Sequence, residues 1–105
     1  MFATVRRYAG IDVSKKAELT KKVNESLAPR LSKLPGFSGY FLIDTGDGVM
    51  SSIGIFDTST QASESTRVAS EWVRDAKLEN ILQTPPKVTD GEVIVHKTVN
   101  GLVRA

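Results

Sequence analysis

The 105-residue chain contains no cysteine, which removes disulfides, thiolate nucleophiles and Cys-ligated metals together. It has a single histidine, His96, so any imidazole chemistry must sit there. A metal site built on one histidine would lack partners of the usual type and spacing, and none is expected. No apolar run approaches the roughly 20 residues needed to cross a bilayer. The opening Met1-Phe2-Ala3-Thr4-Val5-Arg6-Arg7-Tyr8 places its charges after its apolar residues, the reverse of a secretory leader. The charge balance is also slight: 14 Lys and Arg against 12 Asp and Glu, a net +2 with both signs interspersed. That is no electrostatic footprint for nucleic acid. The expected protein is cytoplasmic, with neither a membrane nor a nucleic acid as partner.

What remains is ordinary globular composition, 40% apolar and 25% charged, enough for one domain over residues 1–105 with a thin core. Phe2 to Gly10 reads as a strand. Ser14 is placed to cap a helix whose Leu19, Val23, Leu27 and Leu31 recur along one face, ending at Pro35-Gly36. Phe37 to Asp44 and Val49 to Phe56 form a hairpin around Asp47-Gly48, a dipeptide suited to positive φ. Asp57-Thr58-Ser59 supplies caps for a second helix, with an inner stripe of Ala62, Thr66, Ala69, Val73 and Ala76 and Trp72 beside it. Leu78, Ile81 and Leu82 make a last turn before Pro85-Pro86. A fourth strand is predicted within Val88 to Val99, strongest over Glu92 to Lys97. Asn100-Gly101 then permits a turn into a short strand at Leu102-Val103-Arg104.

Strand–helix–strand–strand–helix–strand is the ferredoxin-like α+β sandwich. The expected sheet is antiparallel in the order 4-1-3-2, with both helices on one face. Apolar residues occur at both parities of the strands, so the second face also needs a cover. A second subunit packed sheet to sheet would provide it, giving a homodimeric α+β barrel.

Several families with this element order are excluded by their own signatures. Val49-Met50-Ser51-Ser52-Ile53-Gly54-Ile55-Phe56 lacks the Lys/Arg-Gly-aromatic run of an RNA-recognition motif. The absence of cysteine excludes a Cys-x-x-Cys metal-chaperone loop, and Gly10-Ile11-Asp12-Val13-Ser14 is not an acylphosphatase anion loop. By contrast, Leu34-Pro35-Gly36-Phe37-Ser38-Gly39-Tyr40, then the hairpin, then Phe56-Asp57 entering a helix that carries Trp72, resembles the antibiotic-biosynthesis-monooxygenase-like branch of the dimeric α+β barrels. The resemblance spans about residues 2 to 98. It implies a homodimer and a pocket in each subunit between sheet and helices. It also implies cofactor-independent oxidation of a small aromatic ligand, a phenol or quinol. Two departures bear on activity. Val68 stands where some active members carry an asparagine, one helical turn before the tryptophan. The second helix has no histidine, the iron ligand of haem-degrading members.

The residues that could carry chemistry are few, and each has a structural alternative. His96 is either a general base or an ordinary strand histidine. Arg6 and Arg7 are consecutive in a central strand and must point to opposite faces, so at least one guanidinium lies near an interior and needs a counter-charge. Glu92, on the neighbouring strand, is the expected partner. The functional alternative is an anion or phenolate clamp. Trp72, Tyr40 and Phe56 are expected to wall the ligand pocket, or else to be core. The competing overall reading is a non-catalytic dimer that binds a small molecule or serves a structural role.

Overall fold

A computed structural model describes residues 1–99. The expected turn at Asn100-Gly101 and strand at Leu102-Val103-Arg104 lie outside the described residues. Four strands form one antiparallel sheet: β1 (Phe2–Tyr8), β2 (Phe37–Gly46), β3 (Val49–Phe56) and β4 (Lys87–Glu92), in the order β2-β3-β1-β4. The helices α1 (Lys16–Lys22), α2 (Ala28–Ser32) and α3 (Ser59–Asp75) complete the α+β ferredoxin-like fold. The core lies between sheet and helices and includes Leu19, Val23, Leu27, Leu31, Met50, Ala69 and Trp72.

Alternation along β3 is clean. Met50, Ser52, Gly54 and Phe56 are buried, and Val49, Ser51, Ile53 and Ile55 are only partly covered. The first set faces the helices. The second shares the opposite face with Phe41 and Ile43 of β2, which are 60% and 42% exposed. One face of the sheet is therefore finished and the other carries apolar side chains into the open.

The first helix is not the uniform rod its leucine spacing predicts. Its N-terminus is capped by Asp12, whose Oδ1 accepts from the Ser14 backbone N–H at 3.0 Å and the Ser14 hydroxyl at 2.7 Å. Ser14 itself sits inside a 3₁₀ turn, Val13–Lys15. Between α1 and α2 the chain makes a π turn, Val23–Leu27, with the Ala28 N–H bonded to the Val23 carbonyl. Pro29 accounts for it. It has no N–H to give to Glu25, and its ring would collide with that carbonyl, so the helix widens ahead of it. The π turn keeps Val23, Leu27 and Leu31 all buried.

α3 begins with a reciprocal capping box. The Thr58 hydroxyl accepts from the Gln61 N–H, and the Gln61 side chain accepts from the Thr58 N–H, both at 3.1 Å. It ends in a Schellman motif: Leu78 N–H reaches the Val73 carbonyl at 2.9 Å and Lys77 N–H the Arg74 carbonyl at 3.1 Å. Lys77 occupies the left-handed position, φ 57°, that glycine usually takes.

Gly36 connects the two halves. It has φ 76°, its carbonyl accepts from Asp57 N–H, and a Cβ there would fall 1.9 Å from Gln61 Oε1. Gly36→Ala is expected to destabilise the fold by about 2 kcal/mol, the sum of left-handed strain and a disturbed capping box. Urea unfolding measures this. A loss below a few tenths of a kcal/mol would mean that Gln61 moves aside freely.

The fourth strand is displaced from the expected stretch. β4 pairs with β1 from Arg7↔Lys87 to Phe2↔Glu92, and Val93 N–H reaches the Met1 carbonyl at 2.9 Å. Beyond that point the stretch Ile94 to Lys97 pairs with no strand among the described residues. The high β-propensity of Val93-Ile94-Val95 therefore does not produce a strand there.

Candidate functional site

β1 places Thr4, Arg6 and Tyr8 on the helix-facing side of the sheet and Arg7 on the open side, as alternation requires. Arg6 is 1% exposed, among the largest fully buried side chains of the described residues. Its Nη1 donates to Thr66 Oγ1 of α3 at 3.3 Å, and the same hydroxyl lies 3.3 Å from Thr4 Oγ1. Its Nε is buried with no hydrogen-bond partner among the described residues, and so is the Ser52 hydroxyl on the neighbouring strand. Arg7, by contrast, is exposed.

The expected counter-charge is not there. Glu92 pairs in register with Phe2, four residues from Arg6, and Asp90 pairs with Thr4; both are exposed. No carboxylate among the described residues forms an ion pair with Arg6. The displacement of β4 is the cause: residue 88, a valine, stands opposite Arg6.

Tyr40 of β2 completes the cluster. Burial pushes its phenol above the ordinary tyrosine range, with the nearby Arg6 guanidinium pulling the other way. Neither Arg6 nor Ser52 makes a well-formed hydrogen bond to it, yet both are close enough to act on it. Desolvation wins, so Tyr40 is a neutral donor at physiological pH and does not serve Arg6 as an anion. Because its folded-state pKa lies above the unfolded value, its stabilising contribution is present below the ordinary tyrosine pKa and is lost as pH rises through the folded one. An ultraviolet phenolate titration should show one tyrosine ionising late, and Tyr40→Phe should remove that late step. A titration unchanged by Tyr40→Phe would contradict the burial argument.

Tyr40, Leu42 and Val23 also separate two spaces. On the inside is a cavity of only about 20 Å³ among Tyr8, Leu19, Met50, Trp72 and Leu82. That is room for one water at most, so the interior expected to be a ligand pocket is filled. On the outside is an open groove of about 590 Å³ between the first helix and the edge strand β2. Lys16, Thr20, Lys21, Asn24 and Ala28 line its other side. Lys16 Nζ also bonds Asp44 Oδ2 at 2.9 Å, which holds the Asp44 carboxyl below the usual range.

Of the residues singled out from sequence, Arg6, Tyr40 and Trp72 are brought to this region. Trp72 is 2% exposed, walls the inner cavity, and donates its indole N–H to Ser26 Oγ in the π turn at 2.9 Å. Phe56 is completely buried and packs edge-on against Phe37, with ring centroids 5.8 Å apart, outside the lining of both spaces. His96 is exposed and lies past the end of β4, on the open face of the sheet. It lines a separate depression of about 480 Å³ with Phe41, Ile55 and Lys97. Three participants, Ser52, Thr66 and Lys21, carry no motif. Only the parity of β3 and the helical spacing of α3 could have pointed to the first two.

No protein-family model matches the sequence, and no curated protein sequence matches it. Solved structures do match in fold. A protein of unknown function from Nitrosomonas europaea is 18% identical, with 95% of each chain covered and a TM-score of 0.74. A monooxygenase from Streptomyces coelicolor, in complex with the ligand nanaomycin D, is 16% identical over 94% of this chain and 92% of its own, at 0.70. A variant of MhuD with two manganese protoporphyrin IX molecules per active site is 15% identical over 93% and 99%, at 0.72. The chain shares its ferredoxin-like α+β fold with these structures and with a structure named as a putative antibiotic biosynthesis monooxygenase from Nitrosomonas europaea. Identities this low establish the shared fold and carry neither an activity nor residue roles with them. No cluster of metal-ligating side chains occurs among the described residues, and no helix there is long and apolar enough to cross a membrane.

Proposed function

We propose that this chain is a cytoplasmic, homodimeric, monooxygenase-like protein that binds a small aromatic ligand, a phenol or quinol, in the groove between α1 and β2. One observation carries the reading: on this fold, a groove of about 590 Å³ ends on an aromatic ring, Tyr40, and an aliphatic wall, Leu42 and Val23. That volume falls within the range of small-molecule sites. The likeness to solved monooxygenases supports the activity. The half-covered Ile53 and Ile55 beside exposed Phe41 and Ile43 support a second copy over the open face. In the oxidation proposed, a phenol and dioxygen give a quinone and one water. Both oxygen atoms are accounted for, and the substrate supplies all the electrons.

Oxygen uptake tests the reading directly. The purified protein is incubated with a panel of phenols and hydroquinones, and consumption is compared with that of Tyr40→Phe. Catalysed uptake that falls at least tenfold in the variant is expected. Uptake no faster than in protein-free buffer across the panel would remove the oxygenase. The filled interior around Trp72 favours a second reading, a binding protein without catalysis. Saturable ligand binding with no uptake would select it.

A further inference from the structure

The strongest unexplained feature is a positive charge with no negative one to meet it among the described residues. Arg6 is sealed between sheet and α3 with one long hydrogen bond, an orphaned Nε and a neighbouring orphaned hydroxyl on Ser52. A guanidinium keeps its charge in protein interiors, so a cation that no described carboxylate compensates stands close to Tyr40. A second, independent observation points the same way. Two lysines, Lys16 and Lys21, line the groove on the far side of Tyr40, and none of its lining residues is acidic. Lys16 is shared with Asp44, while Lys21 forms no ion pair among the described residues. The groove is thus lined by two lysines and by Tyr40, which has the Arg6 guanidinium close to it.

We infer that the groove selects an aromatic monoanion, its ring against Leu42 and Val23 and its ionised oxygen, carboxylate or acidic phenolate, at the Tyr40 hydroxyl with Arg6 behind. Tyr40 is the contact residue: its neutral O–H donates to the oxyanion. Arg6 is a positioning residue. It does not line the groove, and it acts by holding a positive potential at the phenol from a site that solvent does not screen. Lys21 draws the anion in from bulk water, where salt weakens its effect. This rests on the groove being the ligand site, and it adds the charge of the ligand to that reading.

Binding is read by fluorescence of Trp72, the only tryptophan, which shares the inner cavity wall with Tyr40. The probes are benzoate, 4-nitrophenolate and benzamide, the last a neutral isostere of benzoic acid. The two anions are expected to bind and benzamide to bind on the order of 10–100-fold more weakly, the value of a hydrogen bond to an ionised group. Arg6→Met should weaken benzoate by the same factor and leave benzamide within about threefold. Arg6→Lys, which keeps the charge, should recover most of the loss; a purely structural arginine would show no such rescue. Should benzoate bind and 4-nitrophenolate not, the ligand's acid is a carboxylate; the converse assigns a phenolate. Equal binding of benzoate and benzamide overturns the inference. So does benzoate binding that Lys21→Gln abolishes and Arg6→Met leaves intact. Each idea can fail alone: phenol oxidation indifferent to Arg6→Met sinks the anion site and spares the oxygenase, and Arg6-dependent benzoate binding without oxygen uptake does the reverse.

Discussion

Arg6→Met makes the protein more stable, by about 2 kcal/mol, against the general trend that substitutions at fully buried positions destabilise. The guanidinium has given up its hydration and in exchange donates one 3.3 Å hydrogen bond to Thr66 Oγ1. Replacing buried charges with apolar side chains of similar volume is known to stabilise by about 1–4 kcal/mol even when the charges are paired. Here no carboxylate among the described residues pairs with the charge, and its Nε has no partner there either. Methionine follows the aliphatic stem of arginine and is flexible enough to fill much of the space the head vacates. Thr66 and Thr4 keep each other as hydrogen-bond partners, so the substitution leaves that pair satisfied. At this chain length 2 kcal/mol corresponds to a rise in melting temperature of roughly 10 °C. Urea and thermal unfolding measure it. Arg6→Ala serves as a contrast, because it removes the stem as well and leaves a cavity whose cost offsets the gain. A clear loss of stability in Arg6→Met would mean that the guanidinium has an anionic partner in the folded protein, and the groove would lose its inner charge.

A residue that weakens the fold where it sits is one that pattern reading handles badly. Alternation in β1 already required Arg6 and Arg7 to face opposite ways, and the structure obeys. Which of them is interior depended on the side the helices cover, and no local signal states that. The same limit explains Glu92. Val93-Ile94-Val95 has the composition of a central strand, and placing β4 there would have brought Glu92 toward the arginines. In the structure β4 instead pairs with β1 from Lys87 to Glu92, which puts Glu92 opposite Phe2. His96 left the sheet for the same reason. A strand needs a neighbour, and propensity cannot report one.

Local chemistry that is complete within a few residues was legible. Asp47-Gly48 carries φ 57° and 75°, as its hairpin needs, and Thr58 caps α3 with Gln61 three residues on. The leucine repeat of the first helix correctly named the buried positions Leu19, Val23, Leu27 and Leu31. It also concealed Pro29, whose effect is to insert a π turn without breaking the stripe. The end of α3 was equally hidden, since the left-handed residue that closes it is Lys77 where glycine would have announced it. The groove is the least legible feature. It is formed by side chains of α1 and the edge strand β2 that have no common motif, and its polarity emerges only when Lys21 and Tyr40 are placed face to face.

The π turn and Trp72 are a single structural unit, and Trp72→Ala should be the most damaging substitution in the chain. Its indole is 2% exposed and spans from α3 to the first helix, where its N–H meets Ser26 Oγ at 2.9 Å. Ser26 is within the widened turn that Pro29 imposes, so a helix of regular pitch would turn that hydroxyl elsewhere. With Tyr8, Leu27, Tyr40, Met50 and Val73 the ring lines a void of only about 20 Å³, too small to absorb any rearrangement. Truncation to alanine deletes the largest apolar body of the core and leaves a hole that the sheet and two helices cannot close together. Buried aromatics of this kind cost about 3–5 kcal/mol on truncation, against a total of roughly 5–15 for a domain. Trp72→Ala should therefore unfold at much lower urea or be partly unfolded in buffer, as measured by circular dichroism. Trp72→Phe separates the two contributions. It keeps much of the volume and loses the hydrogen bond, and about 1–2 kcal/mol is expected. Ser26→Ala should cost less again, near 1 kcal/mol, since it removes one partner of that bond and no apolar area. If Trp72→Ala were tolerated with a loss below about 1 kcal/mol, the ring would be replaceable by solvent or ligand. The interior would then be the binding pocket that its packing argues against, and the outer groove would no longer be needed to house one.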